Sequence, residues 1–104
     1  MAARTIHEMN LILAVDGSEH SAAAARLVRD LPLPRESSIT VLAVLMPRNA
    51  SEHAGLEKAL NDTKEILREV KPSVKTELLT GYPAEQISEY AEEHVPDLFV
   101  LGAK

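Results

Sequence analysis

The sequence predicts an open α/β domain, a parallel sheet with helices on both faces. Three observations carry this. Short apolar runs without polar interruption recur along the chain, as in strands buried on both faces. Segments of helical period separate them. The strand–helix alternation repeats three times and ends on a strand, which implies parallel strands joined by right-handed crossovers. At 104 residues the chain suits one domain, and roughly 65% of its unfolded surface is expected to be hidden on folding, enough for one modest core.

The first strand is Asn10–Val15, whose run Leu11-Ile12-Leu13-Ala14-Val15 ends at Asp16-Gly17-Ser18. Ser18 is a favourable N-cap, and Glu19 puts negative charge into the first turn of a helix over about Glu19–Leu31. The alanines Ala22 to Ala25 allow this helix to approach a sheet closely, with Leu27, Val28 and Leu31 as larger packing residues. Pro32 and Pro34 stop it. The second strand covers Ser38–Met46 and is closed by Pro47. A second helix is expected over Ser51–Val70, with Leu56, Ala59, Leu60, Ile66, Leu67 and Val70 at helical spacing, and Lys71-Pro72 breaks it. The third strand, Val74–Thr80, mixes apolar residues with Lys75 and Glu77, which suits a sheet edge. Gly81-Tyr82-Pro83 then turns into a third helix with Pro83 at its first position. Ala84, Ile87, Ala91 and Val95 form its apolar stripe, with Glu85, Glu89, Glu92 and Glu93 on its wet face; Tyr82 and Tyr90 are read as packing or interface residues. Asp97–Gly102 is the fourth strand.

Composition excludes several classes of function. With 16 acidic and 11 basic side chains, the formal charge of −5 argues against a nucleic-acid or anionic-membrane surface, where Lys and Arg must neutralise phosphates. A small phosphorylated ligand stays open, because backbone amides hold phosphate without net positive charge. Cysteine is absent, so disulfides, thiolate nucleophiles and cysteine-based zinc sites are excluded. Residues Met1–Asn10 lack an apolar signal core, and no apolar run approaches the ~20 residues of a membrane span. A cytoplasmic protein is expected. His7, His20, His53 and His94 are scattered without metal-ligand spacing. Ser18 lacks a G-x-S-x-G elbow. A phosphoacceptor receiver domain would need paired acids after the first strand and an acceptor at the end of the third, where Leu78-Leu79-Thr80-Gly81 has none.

The segment richest in chemistry is Ala14-Val15-Asp16-Gly17-Ser18-Glu19-His20-Ser21. It places an acid, a glycine and a hydroxyl where the first strand meets its helix, the end of an open α/β sheet at which ligands sit. Asp16 is suited to accept hydrogen bonds from a ribose or a cation-bound water; the bland alternative is that Asp16 and Ser18 only end the strand and start the helix. With Val41-Leu42-Ala43-Val44, Gly81-Tyr82-Pro83-Ala84-Glu85-Gln86-Ile87 and Asp97-Leu98-Phe99-Val100-Leu101-Gly102, the chain resembles the universal stress protein family along its whole length. One departure is Ala43, where family members commonly carry histidine.

The resemblance implies a nucleotide-binding fold with strand order 3-2-1-4-5 and a homodimer. It places an adenosine against Ala14, Val15, Asp16 and Val44. Gly102 matches the first glycine of the family's G-x-x-G phosphate loop, so Gly102, Ala103 and Lys104 are the expected phosphate contacts. The second glycine would fall just after Lys104. ATP or AMP is thus the implied ligand, with Mg²⁺ if ATP, and any hydrolysis should be slow, since no base–nucleophile pair is present. The alternative is a dimerisation or docking module of the same fold that binds no nucleotide. An α/β domain of this pattern is expected to carry one more helix and strand, about 25–35 residues by the size of a βαβ unit. Without them the strand order is 3-2-1-4, and the uncharged edge Leu98–Leu101 should pair with a missing segment or a partner chain.

Overall fold

The computed structural model describes residues 9–102. Four parallel strands, β1 (Asn10–Val15), β2 (Ser38–Leu45), β3 (Ser73–Thr80) and β4 (Leu98–Gly102), form one sheet in the order β3-β2-β1-β4. The connecting helices are α1 (Glu19–Arg29), α2 (His53–Ile66) and α3 (Pro83–His94). Short 3-10 turns over Pro47–Glu52, interrupted at Asn49, precede α2.

Register explains the apolar runs. Leu13 lies level with Val41 on one side and Val100 on the other, and Ile12 lies level with Thr40 and Phe99. Leu11, Leu13, Val15, Ile39, Val41 and Ala43 pack with Ala25 and Val28 of α1 and with Leu60 of α2. Ile12 and Leu42 point the other way, onto Tyr90 and Ile87 of α3. The two central strands are therefore apolar at nearly every position because each of their faces is covered. β3 lies at one edge, as Lys75 and Glu77 suggest, and β4 at the other.

Two helices depart from the expected bounds and a third from its expected stripe, each for a local reason. α1 ends at Arg29 rather than Leu31, where Asp30 N–H donates to Arg26 O and Leu31 N–H bends back to Val28 O. Leu27, expected to pack, is 59% exposed; Val28 beside it takes the buried face. α2 begins at His53 and ends at Ile66, after which Arg68 N–H to Glu65 O and Val70 N–H to Leu67 O tighten the chain into turns before Pro72. In α3 the buried residue is Tyr90, with Ile87 partly buried beside it. Ala84 and Val95, assigned to that stripe from the sequence, are exposed. Val95 is the C-cap, in left-handed geometry with φ 38°.

The start of β1 is fastened to the end of α3. Asn10 N–H donates to Asp97 Oδ2 (2.7 Å), Asp97 N–H donates to Asn10 O (2.7 Å), and Asn10 Nδ2 donates to His94 O (2.9 Å). This clamp holds β4 level with β1, which matters at the strands' other end.

Candidate functional site

Strand order places a crevice beside β1. The chain leaves β1 toward β2 and later returns to β4 on the other flank, so the crossovers diverge at the carboxyl ends of β1 and β4. In open α/β sheets, ligands bind at that divergence. Val15 pairs with Gly102, so the ends of the two strands are level there.

Of the residues singled out from the sequence, five lie in the described structure and converge on this corner. Ala14 and Val15 are buried, 3% and 5% exposed, so their side chains belong to the packed sheet. Asp16 is exposed just past the strand. Val44 is half-buried on β2, two residues beyond Leu42, the partner of Ala14, and on the face that α3 covers. Gly102 is buried at the end of β4. Ala103 and Lys104 lie outside the described residues.

The turn after β1 is built by side chains. Gly17 takes φ +86°, a left-handed conformation that costs glycine little. Asp16 Oδ1 accepts the Ser18 N–H at 2.9 Å, closing an Asx turn. Ser18 occupies the N-cap as expected, but its hydroxyl makes no cap hydrogen bond; its Oγ is buried and unpartnered among the described residues. It borders a cavity of about 70 Å³ between α1 and α2. By accepting the Ser18 N–H the Asp16 carboxylate is itself oriented along with the turn.

The residue that organises the corner is Ser21, which closes the segment singled out from the sequence but was given no role there. It is 4% exposed in the first turn of α1. Its Oγ accepts the N–H of Asp16 (2.8 Å) and of Gly17 (3.1 Å), and lies 2.9 Å from Asp16 Oδ1 and 2.6 Å from the carbonyl of Gly102. A hydroxyl three residues past an N-cap, behind an Asp-Gly turn, was the only local signal. Its partner Gly102 lies 81 positions away in the chain. Gly102 itself is required sterically. A Cβ there would sit 2.7 Å from Ala24 Cβ and 3.1 Å from Ser21 Cα, so the small residues of α1 and this glycine together allow β4 to lie against the helix.

The corner presents one carboxylate, strand-end backbone and a helix start. Among the described residues there is no group of three or more His, Cys, Asp or Glu side chains able to hold a metal ion, and no helix is long and apolar enough to cross a membrane. A cavity of about 450 Å³ bordered by Asn61, Lys64, Arg68, Pro72 and Val74 opens between the end of α2 and the start of β3, where the strands begin. It lies at the other end of the sheet from Asp16.

This is a doubly wound α/β protein whose hydrogen-bonded corner lies at the switch in strand order. The profile of the universal stress protein family matches residues 9–104, and the chain belongs to that family. Universal stress protein MJ0531 of Methanocaldococcus jannaschii is 28% identical over 96 residues, covering 92% of this chain and 53% of that protein. The chain thus spans about half the length of that relative. A universal stress protein of Archaeoglobus fulgidus superimposes with a TM-score of 0.76 at 20% identity, over 89% of this chain and 74% of that one. A universal stress protein solved in complex with cAMP superimposes with a TM-score of 0.70 at 14% identity, over 88% and 73% of the two chains. At these identities the structural likeness establishes the fold.

Proposed function

We propose that the chain is a stress-response module that binds an adenine nucleotide at the carboxyl ends of β1 and β4, with little or no catalysis. The observation that carries this reading is the Asp16 corner: an exposed carboxylate, oriented by Ser18 N–H and set beside Ser21, at the switch point and level with Gly102. In this reading Asp16 accepts from the ribose hydroxyls. The backbone of Ala14 and Val15 and the side chain of Val44 lie against adenosine, and the chain from Gly102 through Ala103 and Lys104 meets the phosphates. The cAMP complex of a structural relative gives the reading a precedent for an adenine nucleotide on this fold. Asp16 also fits Mg²⁺ in the manner that ion prefers, one carboxylate completed by phosphate oxygens and water. Among the described residues no base–nucleophile pair stands at the corner, and in this reading turnover is slow at most. The protein acts in the cytoplasm.

Isothermal titration of the protein with AMP, and with ATP plus Mg²⁺, tests this. Saturable heat that Asp16→Ala abolishes is expected. Absence of heat at high micromolar ligand overturns it. A second reading, an interaction module that binds no nucleotide, draws on the apolar edge of β4, where Leu98 and Leu101 are 36% and 60% exposed.

A further inference from the structure

Ser21 is over-subscribed as a donor. A serine hydroxyl has two acceptor lone pairs and one proton. Both lone pairs are engaged, by the N–H groups of Asp16 and Gly17 at 2.8 and 3.1 Å. The single proton faces two acceptors, the Gly102 carbonyl at 2.6 Å and Asp16 Oδ1 at 2.9 Å. It serves one at a time. An ionised carboxylate is the stronger claimant by charge, whereas the carbonyl has the shorter contact. Asp16 is exposed and Ser21 buried, so only the carboxylate is open to events in solution.

We propose that Ser21 is a positioning residue that couples occupancy of Asp16 to the exit of β4. When a ligand hydroxyl or a cation-bound water engages the Asp16 carboxylate, its claim on the Ser21 proton weakens. The Ser21 O–H then donates wholly to the Gly102 carbonyl, and the end of β4 is held more firmly against α1. Ser21 touches no ligand. It acts through Asp16 on one side and Gly102 on the other, linking the sugar-binding half of the corner to the strand that leads into the phosphate-binding half. The coupling deepens the proposed function and rests on it only for the identity of the ligand, because the shared proton belongs to the chain itself.

The test is the carbonyl ¹³C shift of Gly102 in the isotopically labelled chain, which moves downfield as that carbonyl accepts a stronger hydrogen bond. Asp16→Ala removes the competing acceptor from an exposed position, so it should move the Gly102 carbon downfield with no ligand present. Ser21→Ala should move it upfield, and Ser21→Cys, a weaker donor, should fall between. Adenosine added to the wild type should reproduce the Asp16→Ala shift; it is the probe because Asp16 would meet the ribose rather than the phosphates. In Ser21→Ala the adenosine response should vanish, because the shared donor is gone. A Gly102 carbon that Asp16→Ala leaves unmoved overturns the coupling, whatever adenosine does. An Asp16→Ala shift that millimolar adenosine fails to reproduce in the wild type supports the coupling and overturns the nucleotide reading.

Discussion

Gly102 shows how little room the corner leaves. Replacing it with alanine puts a methyl group 2.7 Å from Ala24 Cβ and 3.1 Å from the Cα of Ser21. The second of these is backbone and does not yield by a change of rotamer. The expected cost is about 1–3 kcal/mol, the range for overpacking a well-filled site. In thermal unfolding, each kcal/mol should appear as a fall of about 4–8 °C for a domain of this size. A melting temperature equal to wild type would mean that β4 does not lie against α1 as described. From the sequence, Gly102 was legible as a strand end and as a family glycine. Its steric necessity was not, because the contact depends on α1 and β4 meeting across most of the chain. Ser21 was hidden for the same reason: nothing near it in sequence announces a carbonyl partner at position 102.

At the scale of elements, α3 carries the titratable feature. Tyr90 is 7% exposed, stacks on His94 with ring centroids 3.8 Å apart, and packs against Ile12 and Leu42 of the sheet. Its buried hydroxyl faces Thr40 and Glu77 but makes no hydrogen bond of ordinary geometry among the described residues. Burial, and then the carboxylate of Glu77, push its pKa above the usual tyrosine value of 10.0. The folded chain thus holds this proton more tightly than the unfolded one. Its contribution to stability is complete below the unfolded value, about 10, and is lost as pH rises through the folded value. Stability measured by urea unfolding should therefore decline above about pH 10, and Tyr90→Phe should flatten part of that decline. The phenylalanine variant should be close to neutral at pH 7, since it removes a buried hydroxyl that has no standard partner. A variant with the same alkaline profile as wild type would assign the decline to other groups. α3 also shows where helical periodicity ran out. Pro83 marked its start correctly, but spacing alone favoured Ala84 and Val95 over Tyr90. Only the sheet, by presenting Ile12 and Leu42 to the middle of the helix, decides which turn is covered. Strand runs were easier to read, because burial on both faces leaves no polar position to confuse the pattern.

The whole molecule is a sheet with two unlike edges. β3 carries Lys75 and Glu77, while β4 offers Leu98-Phe99-Val100-Leu101 without a charge. Charge on an outer strand discourages pairing with another chain, and an apolar strand without it invites pairing. The chain is expected to self-associate through β4 at micromolar concentration in light scattering. Leu101→Lys, at a position 60% exposed, should return it to the mass of one copy. A wild-type chain that stays at that mass at several hundred micromolar would remove the edge as an association surface. The fold class was legible in the amino-acid sequence, since it depends on which runs are apolar and how they alternate with helical segments. Lys75 and Glu77 marked β3 as an edge in the same way. The strand order came from the family resemblance, in which a fifth strand lies beyond β4, so the edge position of β4 is that of the four strands described.

The difference between the edges has a consequence for how far such association proceeds. Two copies joined strand to strand across a twofold axis use the same surface on each partner. Both open edges are consumed in that one step, and the joined sheet then presents Lys75 and Glu77 at each of its ends. Growth stops at a pair. A second apolar edge in place of β3 would let the same contact repeat without limit and build a fibre. In such a pair the charges on β3, remote from the Asp16 corner, would act as the terminator of the assembly.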